Sequence, residues 1–134
     1  MINDRWRNIS VKYFKISEFD CPSEKDSGEK MEIGFILKLD KCRELAGIPF
    51  KITSGYRSKE YNESLIKKGI KASKNSSHLK GLAADISVKN SGDRYKIIQS
   101  ALRVGFTRIG VGKNFIHLDT DENKSQDVIW HCLL

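Results

Sequence analysis

The chain contains few of the residues that cross-link or rigidify a protein, and it has no long apolar run. Three cysteines and two prolines occur among its 134 residues. The cysteines (Cys21, Cys42 and Cys132) are odd in number and form no Cys-x-x-Cys pair, so we interpret them as reduced and mostly buried, not as disulfides or zinc ligands. No stretch is long enough to span a bilayer, and the amino terminus lacks the apolar segment of a secretory signal. The sequence therefore predicts a chain without a transmembrane segment that is cytoplasmic as synthesised.

The composition is typical of a soluble globular protein, with 39% hydrophobic and 31% charged residues. The length fits one domain spanning residues 1–134. The net charge of +7 favours association with a polyanion. We do not expect nucleic acid as a partner, because the lysines are spread along the chain without a recognition-helix or aromatic RNA-binding pattern. Another anionic polymer, or solubility alone, accounts for the charge equally well.

Apolar periodicity and turn residues divide the chain into short elements. Predicted helices cover residues 31–47, 58–68 and 93–104, the last with Tyr95, Ile98 and Leu102 on its apolar face. Predicted strands cover residues 49–53, 82–88, 106–111, 115–119 and 128–132, and residues 14–19 alternate like a further strand or extended arm. Because helices come early and strands cluster late, we expect an α+β fold with a mainly antiparallel sheet and helices packed on one side.

Histidine is also scarce, and two of the three histidines lie beside acids in apolar segments. Asp85 falls inside the predicted strand 82–88, where an ionised carboxylate is costly unless it is paired or binds a metal. A zinc ion held by His78, Asp85 and His117 would resolve this cost, and three N/O ligands are typical of catalytic zinc sites. Side chains alternate along a strand, so His117 and Asp119 share one face and the apolar neighbours the other. The polar faces of both strands can therefore line a cleft.

Three segments strengthen this interpretation because they occur together and in order. Residues 76–85 (SSHLKGLAAD) match the pattern SxHxxGxAxD at every fixed position, residues 54–57 are SGYR, and residues 115–119 are FIHLD. This combination resembles the M15 family of zinc D-Ala-D-Ala peptidases, which cut bacterial cell-wall peptides. The similarity extends from about residue 14 to residue 130. The resemblance implies an α+β fold of the hedgehog and D,D-peptidase type.

The resemblance also implies a function and a set of site residues. One Zn²⁺ would be held by His78, Asp85 and His117, and Arg57 would act near the scissile carbonyl oxygen or a substrate carboxylate. Substrate contacts are expected from three further residues, Ser76, Tyr56 and Trp130. The implied activity is hydrolysis of amide bonds next to D-amino acids in peptidoglycan stem peptides, by a D,D-carboxypeptidase or an endopeptidase such as a phage endolysin. The expected protein is a monomer that acts on the cell wall after release or export.

The general base is the point at which this sequence departs from the family pattern. Several branches place Glu or Asp three residues before the last histidine ligand, and Asn114 occupies that position here. Asp119 is our candidate base, because it shares a strand face with His117; alternatively, it orients a ligand histidine. The alternative function is a non-catalytic, zinc-stabilised binding or phage structural module of the same fold. Asp121, two residues further on, is assigned to a solvated turn.

Overall fold

The computed structural model describes residues 4–70 and 72–132. Helices and strands follow one another along this part of the chain. The α-helices are α1 (Ile33–Ala46), α2 (Lys59–Lys67) and α3 (Ser91–Val104). The strands are β1 (Ile52–Ser54), β2 (Ala83–Ser87), β3 (Arg108–Val111), β4 (Phe115–Asp119) and β5 (Val128–His131). Short 3₁₀ helices cover Asp4–Trp6, Ile16–Phe19, Ser27–Lys30 and Ser77–Lys80. None of the helices in this described part has the length and apolar character needed to cross a membrane.

Local capping signals set the ends of the helices. The Ser58 hydroxyl accepts the backbone N–H of Tyr61 at 3.1 Å and begins α2, as the sequence predicts. Asn90 caps α3 in the same way, which is why that helix begins two residues earlier than its predicted start at residue 93. Gly47 and Gly105 end α1 and α3 in the left-handed conformation that glycine adopts without strain.

The five strands form one sheet in the order β1-β2-β4-β3-β5. All pairings are antiparallel except that of β3 with β5, which is parallel. In the register of β2 with β4, Asp85 lies opposite His117 and Ala83 lies opposite Asp119. The predicted α+β fold with a mainly antiparallel sheet is therefore confirmed, and the sheet places the acid and the histidine side by side.

The apolar core lies between one face of the sheet and the helices α1 and α3. From the strands, Ile86, Ile116 and Leu118 are fully buried in this cluster. The predicted alternation of faces along β2 and β4 is thus confirmed, and the opposite face is left for polar side chains. The cysteines are all free; Cys21 and Cys42 are buried and Cys132 is half-buried, as predicted. Burial raises the pKa of the Cys42 thiol to about 12.

Two details of the predicted fold are wrong. Residues 14–19 do not form a strand or an extended arm, because the Glu18 carboxylate accepts the Lys15 backbone N–H at 2.7 Å and closes the 3₁₀ helix Ile16–Phe19. Two residues of the predicted apolar face of α3 are turned to solvent, with Tyr95 64% and Leu102 53% exposed, and only Ile98 packs partly against the core. The helix buries Ile97 and Ala101 instead, since the small Ala101 side chain allows α3 to pack closely against the core.

Candidate metal centre

Three separate elements bring His78, Asp85 and His117 together on the polar face of the sheet. His78 lies in the 3₁₀ helix Ser77–Lys80, Asp85 on β2 and His117 directly opposite on β4. One ligand atom from each lies within 4.8 Å of the other two. The Oδ1 atom of Asp85 is 2.9 Å from His117 Nδ1 and 3.4 Å from His78 Nε2. The three predicted ligands therefore converge on one point.

The backbone selects the tautomer of His78. Its Nδ1 atom is 2.7 Å from the carbonyl oxygen of Gly55, and a carbonyl only accepts hydrogen bonds, so Nδ1 carries a proton. The Nε2 lone pair of the neutral ring then faces Asp85. Burial lowers the pKa of His78, and the negative charge of Asp85 offsets this only in part. The imidazole is therefore held in the neutral form that binds a metal.

Two carboxylates flank His117. Its Nε2 atom is 2.7 Å from Asp119 Oδ2, while Nδ1 faces Asp85. Burial would lower the pKa of His117, but the hydrogen bonds to Asp119 and Asp85 raise it. Burial would likewise raise the pKa of Asp85, but the hydrogen bond from His117 holds it well below its usual range. Asp85 is therefore ionised at neutral pH.

The donor set fits a catalytic zinc ion. Two imidazole nitrogens and one carboxylate oxygen are ligand types that zinc accepts, and three protein ligands leave one position open. Each histidine also has a hydrogen-bond partner behind it, Gly55 for His78 and Asp119 for His117, as metal-binding histidines almost always do. Within residues 4–70 and 72–132 this is the one group of three such side chains close enough to share a metal.

Asp119 contacts the Nε2 atom of His117, on the other side of the ring from Asp85. It is 1% exposed, and its Oδ1 atom accepts the Arg108 Nε–H at 2.7 Å and the backbone N–H of Asp121 at 3.0 Å. Burial would raise the pKa of Asp119, but the hydrogen bond to His117 and the other contacts lower it. Three hydrogen bonds occupy this carboxylate. Its contacts favour the orienting role over that of a general base.

Two adjoining cavities meet at the cluster. One, of about 440 Å³, has His78 and His117 in its wall; the other, of about 530 Å³, lies toward α2. Arg57, Asp85 and Phe115 line both. The cluster therefore lies in a groove that extends to either side of Asp85.

Arg57 lies where the two cavities meet. Its Nε donates to Ser54 Oγ at 3.1 Å, its Nη1 donates to Asn62 Oδ1 at 3.3 Å, and its Nη2 lies 3.8 Å from Asp85 Oδ2. Burial lowers the pKa of Arg57, and the charge of Asp85 opposes that shift. A guanidinium remains protonated in proteins, so a fixed positive charge faces the groove.

Comparison with known proteins shows the family of this chain. The sequence profile of the family Peptidase M15 matches residues 12–119. The chain belongs to the peptidase M15 family. Among solved structures, the L-Ala D-Glu endopeptidase ChiX from Serratia marcescens superposes with a TM-score of 0.58 at 16% identity, covering 88% of this chain and 96% of that chain. This structural likeness shows the fold. No curated protein matches this chain in sequence.

The three residues predicted to contact substrate have different locations in this M15 family member. Trp130 forms a wall of the first cavity, with its ring 5.5 Å from the His117 ring. Ser76 also lines that cavity, but it is 7% exposed and its hydroxyl accepts the His78 backbone N–H at 3.2 Å. Tyr56 lines neither cavity at the cluster; it packs against the core and lines a separate groove beside α2.

The burial of two charged residues near the candidate metal centre was not predicted from the sequence. Arg108 binds Asp119, as described above. Asp121 is not in a solvated turn, and that prediction is wrong, because the carboxylate is fully buried and accepts hydrogen bonds from Ser77 Oγ at 2.7 Å and Lys80 Nζ at 3.1 Å. The turn after β4 folds back onto the 3₁₀ helix that carries His78. The two-residue spacing of Asp119 and Asp121 is a signal for this burial in the sequence. Side chains two residues apart along a strand point to the same side, so Asp121 can follow Asp119 toward the polar face of the sheet.

The glycine of the SxHxxGxAxD motif is expected to be essential for this local fold. Gly81 has φ +70°, and a Cβ there would lie 2.6 Å from the Lys30 carbonyl oxygen. We expect Gly81→Ala to lower the free energy of unfolding by about 2–4 kcal/mol, from left-handed strain plus overpacking, measured by urea denaturation. Gly34→Ala is the matched control, because a Cβ there meets nothing within 4 Å. Equal stability of the two variants would contradict this explanation.

Proposed function

We propose that the chain is a zinc-dependent metallopeptidase that hydrolyses amide bonds next to D-amino acids in peptidoglycan stem peptides. The observation that carries this proposal is the convergence of His78, Asp85 and His117 in a groove, within an M15 fold. A bound zinc ion supplies Lewis acidity, which activates water and polarises a peptide carbonyl. The three side chains would hold that ion, and the hydrogen-bonded partners of the two histidines would fix which ring nitrogens face it.

Arg57 and Trp130 supply the contacts to substrate in this proposal. Arg57 places its charge beside Asp85, where it can stabilise the negative charge that develops on the scissile carbonyl oxygen. Trp130 offers an apolar wall next to His117 for the peptide chain. We assign Ser76 to holding the His78 backbone, since its hydroxyl already accepts that N–H. Asp119 holds His117, and we propose no proton transfer to it.

The groove favours cleavage of an internal bond over removal of a terminal residue. Cavities of about 440 and 530 Å³ adjoin Asp85 on its two sides, so peptide can extend in both directions from the metal centre. The protein ChiX, which shares the fold, is an L-Ala D-Glu endopeptidase. We therefore propose an endopeptidase, with the L-Ala–D-Glu bond of the stem peptide as the first candidate for cleavage.

Digestion of purified peptidoglycan by the zinc-loaded protein tests the proposed function. Mass spectrometry of the released fragments identifies the bond that is cut, because each cleavage leaves a defined new amino terminus. A new terminus created at a bond next to a D-amino acid supports the proposal. Zinc binding without any released fragment would instead support the non-catalytic, zinc-stabilised module.

The endopeptidase assignment makes a separate prediction for short peptides. Two synthetic stem peptides of one sequence, ending in a carboxylate or in a carboxamide, are expected to be cut at similar rates, because an endopeptidase binds peptide on both sides of the scissile bond and does not depend on a free carboxyl terminus. A carboxypeptidase would lose roughly 100-fold on the amide, since it forfeits a hydrogen bond to a charged group. Rates measured by liquid chromatography distinguish the two, and a strong preference for the free carboxylate would contradict the assignment.

A further inference from the structure

Arg108 lies behind the metal centre and contacts three different parts of the chain. It begins β3, is 8% exposed, and donates from Nε to Asp119 Oδ1 at 2.7 Å. Its Nη1 donates to the carbonyl oxygen of Ser125 at 2.7 Å, in the loop between β4 and β5. Its guanidinium carbon lies 4.7 Å from the centre of the Trp130 ring. One side chain thus joins Asp119, the loop and the cavity wall.

We propose that Arg108 is a positioning residue of the metal centre, acting on His117 through Asp119. The inference rests on the proposed function, in which His117 binds the metal through Nδ1. Arg108 Nε donates to Asp119 Oδ1 at 2.7 Å, and the second oxygen of that carboxylate, Oδ2, lies 2.7 Å from His117 Nε2. With its two oxygens bound in this way, the carboxylate cannot rotate without losing a hydrogen bond. The imidazole therefore keeps Nδ1 directed at Asp85.

The chemistry of arginine suits this role. A planar guanidinium has donors in fixed directions, so it can bind a carboxylate with Nε while Nη1 holds a carbonyl and the plane lies near an indole ring. A lysine has a single ammonium group and cannot occupy all three positions. The ion pair is buried, and removal of one partner from such a pair is costly because the other charge remains without compensation.

A double-mutant cycle on zinc affinity tests the proposal without reference to activity. Zinc dissociation constants are measured by competition with a chelator for the wild type, Arg108→Gln, Asp119→Asn and the double variant. We expect Arg108→Gln to weaken binding about 10-fold and Asp119→Asn about 10- to 100-fold, the range found for groups that orient metal ligands. Because Arg108 acts through Asp119, the double variant should bind zinc as weakly as Asp119→Asn alone.

Arg43→Gln is the matched control. Arg43 also donates to a backbone carbonyl, that of Tyr13 at 3.0 Å, and lies 5.0 Å over the ring of Phe14, but it makes no contact with the metal centre. It is expected to keep wild-type zinc affinity even if it lowers stability. Thermal unfolding of the metal-free proteins shows whether each variant is folded. If Arg108→Gln does not fold, Arg108→Lys replaces it, with a smaller expected loss of zinc affinity because the charge beside Asp119 remains.

Two results would overturn the inference. One is wild-type zinc affinity in a folded Arg108 variant, and the other is a double variant in which the two losses multiply in full. The proposed function can fail separately, since a wild-type protein that binds zinc and obeys the cycle but releases no peptide would contradict only the assignment as a peptidase. A wild type that binds no zinc would contradict both.

Discussion

Replacement of His117 by alanine is expected to lower the rate of peptide hydrolysis by at least about 1,000-fold. The ring nitrogen of His117 lies 2.9 Å from Asp85, so its removal takes away one of the three proposed ligands and the proposed support from Asp119. Lewis-acid assistance contributes several kcal/mol to the transition state, and about 4 kcal/mol corresponds to that factor. The same variant should contain little zinc after dialysis, as measured by atomic emission.

The third histidine provides the control for metal content. His131 lies in the wall of the first cavity but is not one of the three clustered side chains, so His131→Ala should keep the zinc content of the wild type. A His117→Ala protein that retains stoichiometric zinc and normal peptide release would contradict the assigned ligand set. Loss of zinc from both variants would contradict it as well, because the effect would not be specific to the cluster.

Arg57→Gln is expected to lower kcat by about 100- to 1,000-fold while zinc content stays the same. Loss of one preorganised donor to a developing oxyanion has an effect of this size. Zinc content should persist because Arg57 is 3.8 Å from Asp85 and is not itself a ligand. Arg103→Gln, an equal charge change at an exposed position on α3, should have no effect on the rate. An active Arg57→Gln protein would exclude the proposed role, and loss of its zinc would show that Arg57 supports the ligands instead.

The residues of the candidate metal centre could be predicted because strand alternation and a short motif are local signals. Strand alternation places Asp85 and His117 on one face of the sheet, and their neighbours in the chain, Ile86 and Leu118, on the opposite face in the core. The motif around His78 identifies the third predicted ligand. Helix ends were likewise predictable, since a cap such as Ser58 acts within three residues of its own position.

The features that the sequence did not reveal depend on contacts between distant segments. Arg108 meets Asp119 only because β3 pairs with β4, and a single basic residue at a strand end carries no local signal of that pairing. The face of α3 was ambiguous for a similar reason. Apolar residues lie on two sides of the helix, and packing against the core, not periodicity, selects Ile97 and Ala101 over Tyr95.

The dependence of peptide release on zinc tests the central claim most directly. The protein is stripped with a chelator, dialysed, and divided into samples with and without one equivalent of zinc, and each is incubated with purified peptidoglycan. The account predicts that stem-peptide fragments appear only in the sample to which zinc is restored. Equal release by the stripped protein, or no release by the zinc-restored protein, would contradict it.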